Sequence, residues 1–150
     1  MIKYTSTQVC FREIPDEISL CINISNCPYK CKGCHSPYLQ MDCGEILNQD
    51  ELHKLIERNK GVTCVCFMGR GQDMETINKL ALFVKSNGLK VGLYMGDNQI
   101  PEEINLLYFN YIKVGPYIQE LGALDSPTTN QRMYEIVDGQ PVDITKKFWK

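Results

Sequence analysis

Cysteines are the residues of this chain best placed to do chemistry. Three of them are closely spaced in Cys27-Pro28-Tyr29-Lys30-Cys31-Lys32-Gly33-Cys34, a C-x3-C-x2-C array. Three such thiolates can hold three irons of a [4Fe–4S] cube, leaving a fourth iron without a protein ligand and open to a small molecule. Gly33 would let the backbone pass close to the cluster. Two other readings stay open. Three thiolates with His35 or Cys43 would close a tetrahedral zinc site, although such sites more often use paired C-x2-C units and His35 would have to fold back sharply. The thiols could also be free in an ordinary loop.

Composition sets the surroundings. The chain has 150 residues, 43% apolar and 23% charged, which is ordinary for one compact domain and excludes wholesale disorder. Sixteen basic against eighteen acidic residues give a formal charge of −2, the wrong sign for gripping nucleic acid through its phosphates. No apolar run is long enough to cross a bilayer, and Met1 to Ser6 lacks the apolar core of a secretion signal. A cytoplasmic location is therefore expected, with no membrane partner. There, eight cysteines point to metal binding or chemistry in preference to a disulfide framework.

The elements that must position the array are legible from periodicity. Ile18 to Ser25 alternates, with Ile18, Leu20, Ile22 and Ile24 on one face, and predicts a strand paired with Gln8 to Glu13. Asn26 to Gly44 reads as a loop built around something. Asn48 to Glu51 resembles a capping box opening a helix through Leu52, Leu55 and Ile56, ended by Gly61. Val62 to Met68 predicts a strand. Asp73 caps a second helix with Ile77, Leu80, Ala81 and Val84 on one face, stopped by Asn87-Gly88. Leu89 to Met95 predicts another strand, Pro101 with two glutamates opens a short third helix, and Tyr108 to Val114 is again a strand. Gly115 to Arg132 has no clear period. Met133 to Ile144 predicts a hairpin turning at Asp138-Gly139, its second strand confined to an edge by Pro141. The alternation predicts an α/β fold with an open, curved, mostly parallel sheet and a C-terminal hairpin, too few strands for a complete barrel. A loop at the carboxyl end of a strand is also where such sheets place active sites.

The array following the first such strand resembles the signature of the radical S-adenosylmethionine enzymes. Phe11-Arg12-Glu13-Ile14-Pro15, Ile22 to Cys27 and Cys34-His35-Ser36-Pro37 look like the glycyl-radical activases among them. Lys113-Val114-Gly115-Pro116-Tyr117-Ile118-Gln119-Glu120-Leu121-Gly122 and Thr129-Asn130-Gln131-Arg132 resemble the activating enzymes of anaerobic ribonucleotide reductases. The matches run from about Val9 to Tyr134. The resemblance implies an incomplete (βα) barrel, with Cys27, Cys31 and Cys34 as ligands of a [4Fe–4S] cluster. It also implies S-adenosyl-L-methionine bound at the open iron and cleaved to a 5′-deoxyadenosyl radical. The radical would take a hydrogen atom from a glycine of the reductase, with flavodoxin or ferredoxin as electron donor. Activation of a pyruvate formate-lyase type enzyme is the nearer alternative and a non-enzymatic zinc-binding adaptor the more distant one.

The same resemblance assigns further cofactor-binding residues. Phe67 to Asp73 stands where the family has a Gly-Gly-acid element, but Arg70 interrupts the glycines, and the acid is displaced to Asp73 or replaced. Gly69 carries over best, while Gly71 equally suits a plain strand-to-helix turn. Lys113 occupies the place of a lysine near the methionine carboxylate. Asn130, Gln131 and Arg132 would bind cofactor or protein substrate, or staple the hairpin. Tyr29 and His35 flank the cluster, His35 ordering the loop through hydrogen bonds. Cys10, Cys21, Cys64 and Cys66 read as core thiols, Cys43 as a spare thiol near the cluster, and His53 as solvated. Met68, Met74 and Met95 read as packing.

Overall fold

The structure is a computed structural model and describes residues 1–25 and 43–149. Eight strands form one sheet: β1 (Lys3–Cys10), β2 (Ser19–Ile24), β3 (Glu45–Ile46), β4 (Cys64–Met68), β5 (Lys90–Tyr94), β6 (Tyr111–Val114), β7 (Arg132–Val137) and β8 (Gln140–Asp143). Their order is β3-β1-β2-β4-β5-β6-β7-β8. Neighbours β2, β4, β5 and β6 are parallel. The flanking pairs on both sides are antiparallel. The expected mostly parallel sheet is thus parallel in its centre alone.

Alternation divides the sheet into two faces. Leu20, Ile22, Ile24, Val65, Phe67, Val91, Leu93, Ile112 and Val114 point to one face. Against it pack α1 (Gln49–Arg58) and α2 (Met74–Ser86), through Leu52 and Leu55 and through Ile77, Leu80, Ala81 and Val84. Both helices start where the sequence places them. Asn48 accepts from the Glu51 N–H at 2.9 Å, and Asp73 accepts from the Thr76 N–H at 3.1 Å. His53 is exposed and meets the edge of Phe83 between the two helices.

The opposite face carries Cys21, Cys64, Cys66, Tyr111 and Met133, covered by Ile14, Leu124 and Phe148 from connecting segments. At the amino ends of the parallel strands, buried Glu17 accepts from Thr63 Oγ1 at 2.8 Å, Lys90 Nζ at 2.9 Å and Tyr111 Oη at 3.5 Å. That carboxylate ties β2, β4, β5 and β6 together at their amino ends.

Three expectations are corrected. The antiparallel partner of β2 is Lys3–Cys10, so that Gln8, Val9 and Cys10 of the expected Gln8 to Glu13 pair with it, but the strand begins earlier and stops before Phe11. The short β3 strand, pairing Lys3 and Tyr4, was not anticipated. No α-helix follows Pro101: Ile104 closes one turn on the Pro101 carbonyl, and a 3-10 turn Leu106–Tyr108 begins anew at Asn105. Asn78 of α2 causes the break. It donates to the Glu103 carbonyl and accepts from the Asn105 N–H, taking backbone groups a helix would have used. The hairpin β7–β8 turns at Asp138 and Gly139, both at positive φ, and β8 is the sheet's edge, where Pro141 costs no ladder bond.

Candidate functional site

Register places one rung of side chains across the helix-free face near the carboxyl ends of the parallel strands. Asn23 on β2 stands beside Met68 on β4, Tyr94 on β5, Lys113 on β6 and Met133 on β7. Asn23, Met68, Tyr94 and Lys113 form the floor of a cleft of about 1290 Å³. Its walls are the β1–β2 connection (Phe11, Arg12, Glu13) and the segment before β7 (Tyr117, Leu124, Gln131). A smaller groove of about 650 Å³, lined by Leu47, Leu80, Leu82 and Phe83, lies on the helix-bearing face.

Lys113 is buried, with Nζ 2.8 Å from the Gly115 carbonyl, 3.2 Å from the Met95 carbonyl and 5.9 Å from the centre of the Tyr94 ring. The carbonyls aim its ammonium, and the low-polarity surroundings strengthen its field for any carboxylate that reaches it. Tyr94 Oη donates to the Glu13 carbonyl and fixes the wall opposite, while burial pushes the Tyr94 phenol well above its ordinary range.

The loops after β4, β5 and β6 are tied by an ion pair. Arg70 Nε and Nη2 donate to Asp97 at 2.6 and 3.1 Å, and Arg70 Nη1 donates to the Gly71 carbonyl at 2.9 Å. Asp97 in turn accepts at its carbonyl from the Gly115 N–H. Sequence pattern does not reveal this bidentate pair, since it shows Arg70 only as an interruption of a glycine motif. Asp73, the candidate for the motif's displaced acid, is spent on capping α2, and the Met1 α-amino group also donates to it.

Gly69 and Gly71 have φ of 111° and 59°. A Cβ on Gly69 would lie 3.2 Å from the Ile24 carbonyl, and one on Gly71 would lie 2.9 Å from Ile2 Cδ1. The left-handed φ at both positions, and at Gly69 the close approach to the end of β2, thus already favour glycine on fold grounds. Asn130 donates to the Pro116 carbonyl at 3.0 Å, and its Oδ1 is buried with no hydrogen-bond partner among the described residues. An acceptor left so fits a ligand hydroxyl or amino group. Gln131 donates to the Gly115 carbonyl at 3.5 Å, and Arg132 pairs with Asp143 in the hairpin.

Cys27, Tyr29, Cys31, Gly33, Cys34 and His35 lie outside the described residues. Covalent continuity begins their segment just beyond Ser25, at the carboxyl end of β2, one residue past the rung's Ile24 neighbour. The structure brings Lys113, Asn130, Gly69 and Gly71 to that same end. Cys43 is half-buried.

Cys10, Cys21, Cys64 and Cys66 are buried, as core thiols would be, all on the helix-free face. Cys21 stands directly opposite Cys66, and Cys64 opposite Ser19. Burial raises the Cys10 and Cys64 thiols to about 12 and the Cys66 thiol well above its ordinary range. The Cys66 and Cys10 thiols beside it lower that of Cys21, against its burial. Ligand atoms of Cys10, Glu13 and Cys21 all lie within 4.8 Å of one another, a constellation periodicity does not reveal. Among the described residues no helix is long and apolar enough to cross a membrane. No protein-family model, curated protein or solved structure matches the chain.

Proposed function

We propose that this chain is a radical S-adenosylmethionine activase that installs a glycyl radical in an anaerobic ribonucleotide reductase. One observation carries the reading. In the sequence the C-x3-C-x2-C segment follows directly on β2, and at the carboxyl ends of β2, β4, β5 and β6 the side chains of Asn23, Met68, Tyr94 and Lys113 line a cleft. The sequence resemblance supports the same choice.

Cys27, Cys31 and Cys34 would hold a [4Fe–4S] cluster, which together with S-adenosylmethionine supplies a 5′-deoxyadenosyl radical able to take a hydrogen atom from a glycine Cα. The described residues would bind and orient. Lys113, held by the Gly115 and Met95 carbonyls, would meet the cofactor's carboxylate, the unpartnered Asn130 Oδ1 would accept from a hydroxyl or amino group, and the backbone at Gly69 lies close to β2. Phe11, Leu124 and Tyr94 give the cleft apolar lining, and geometry must choose one C–H bond among many. On this reading the open sheet is an incomplete (βα) barrel, and its unclosed side admits the glycine-bearing segment. The electron comes from a flavodoxin or ferredoxin.

Low-temperature electron paramagnetic resonance on anaerobically reconstituted, reduced protein tests the proposal. The expected result is a [4Fe–4S]⁺ signal that changes when S-adenosylmethionine is added, followed by a glycyl radical on the reductase. Lys113→Met should keep the cluster signal while weakening the response to S-adenosylmethionine about tenfold or more, as for loss of a charge-assisted contact. Zinc without sulfide in the array would overturn the reading, and a radical on a pyruvate formate-lyase alone would move the chain to that class of activase.

A further inference from the structure

We propose that Cys10, Glu13 and Cys21 form a second metal site, suited to a zinc-type divalent ion and separate from the Cys27–Cys31–Cys34 array. The two sulfurs and a Glu13 carboxylate oxygen lie within 4.8 Å of one another. Around a tetrahedral zinc, with ligand bonds of about 2.0–2.3 Å, such atoms stand about 3.3–3.8 Å apart. Closing from 4.8 Å at most to that spacing asks for shifts of about 1 Å per atom.

The sheet pre-forms this arrangement. In the β1–β2 register Gln8 faces Cys21 and Cys10 faces Ser19, so Cys10 and Cys21 are diagonal neighbours on one face. The chain turns immediately after Cys10 and returns Glu13 over the same face, where Ile14 is fully buried. Gly92 makes room for that turn, since a Cβ there would lie 2.9 Å from Ile14 Cδ1.

Charge supplies a second argument. Glu13 is half-buried beside thiols, and among the described residues its carboxylate accepts only from the Arg12 N–H, at 3.4 Å. A carboxylate so placed beside two sulfurs, with so little hydrogen bonding among the described residues, has oxygens to offer a cation. Two thiolates with one carboxylate favour zinc over magnesium or calcium, which prefer oxygen ligands alone. Glu13 also lines the cleft, so a water from the cleft completes the tetrahedron. The site stands whether or not the array carries iron.

The test uses the full chain with Cys27, Cys31 and Cys34 changed to serine, titrated with Co²⁺ and then Zn²⁺. A single Co²⁺ should bind with thiolate-to-cobalt charge-transfer absorption, be displaced by Zn²⁺, and raise the unfolding temperature. Cys10→Ser and Cys21→Ser should abolish the absorption, Glu13→Gln should weaken binding about tenfold, and Cys64→Ser, an equally buried thiol on the same face, should change nothing. Absorption that is missing, or that survives Cys10→Ser, overturns the proposal. Should the serine variant not fold, zinc analysis of the chain with its array intact decides. Zinc lost on Cys10→Ser supports the site, and zinc equal in both proteins overturns it.

Discussion

Arg70 breaks a glycine pattern in the sequence, and its partner explains why. Its guanidinium grips Asp97 through two hydrogen bonds, with both side chains 13% exposed. Removing one partner of so enclosed a pair leaves the other charge poorly compensated. Arg70→Ala should therefore cost about 3 kcal/mol or more, and the double change Arg70→Ala/Asp97→Ala clearly less than the sum of the singles. Urea unfolding of the three variants measures this, and additive costs would show that the charges do not interact. The pair was not legible in advance because its members are 27 positions apart, on loops after different strands. Cys10 and Cys21 hid their relation for the same reason. Each looks like an ordinary core thiol until the β1–β2 register sets them on one diagonal with Glu13 above.

At the level of elements, local signals were the dependable ones. Asn48 and Asp73 mark the helix starts because a capping bond reaches only three residues along the chain. Asp138-Gly139 marks the hairpin because its positive φ values suit those residues. The expected helix after Pro101 fails where α2 intervenes through Asn78, a contact absent from local pattern. Asp73 also gives α2 a pH dependence. The Met1 α-amino group and Thr76 hold its carboxyl at about 2, below the ordinary 3.8. A lowered folded pKa stabilises fully above the unfolded value, and that contribution disappears as pH falls from about 4 towards 2. Asp73→Ala should cost about 1 kcal/mol at neutral pH. The gap between variant and parent should close in acid unfolding near pH 2, whereas a gap constant with pH would mean that the charge contributes nothing.

Across the whole molecule, the two ends of the parallel strands have separate duties. Glu17, Thr63, Lys90 and Tyr111 fasten the amino ends, and Lys113, Arg70, Asp97 and Asn130 occupy the carboxyl ends. Glu17→Ala should lower stability by about 1–3 kcal/mol while leaving the cluster signal and its response to S-adenosylmethionine unchanged, read by denaturation and by paramagnetic resonance on the same samples. A lost response in folded protein would mean that the ends are coupled. The division of labour was partly visible beforehand, since alternating helices and strands imply a parallel centre with chemistry at one end. The antiparallel flanks were harder to foresee, because strand direction follows from where a connection crosses and not from strand composition.

The strand order has its own consequence. From β1 to β8 each strand lies beside the one made just before it, apart from β3, which reaches back to β1, and β4, which pairs with β2. A chain emerging from the ribosome can therefore lay down its sheet in the order of synthesis, each new strand finding its neighbour already in place and covering the edge left by the last.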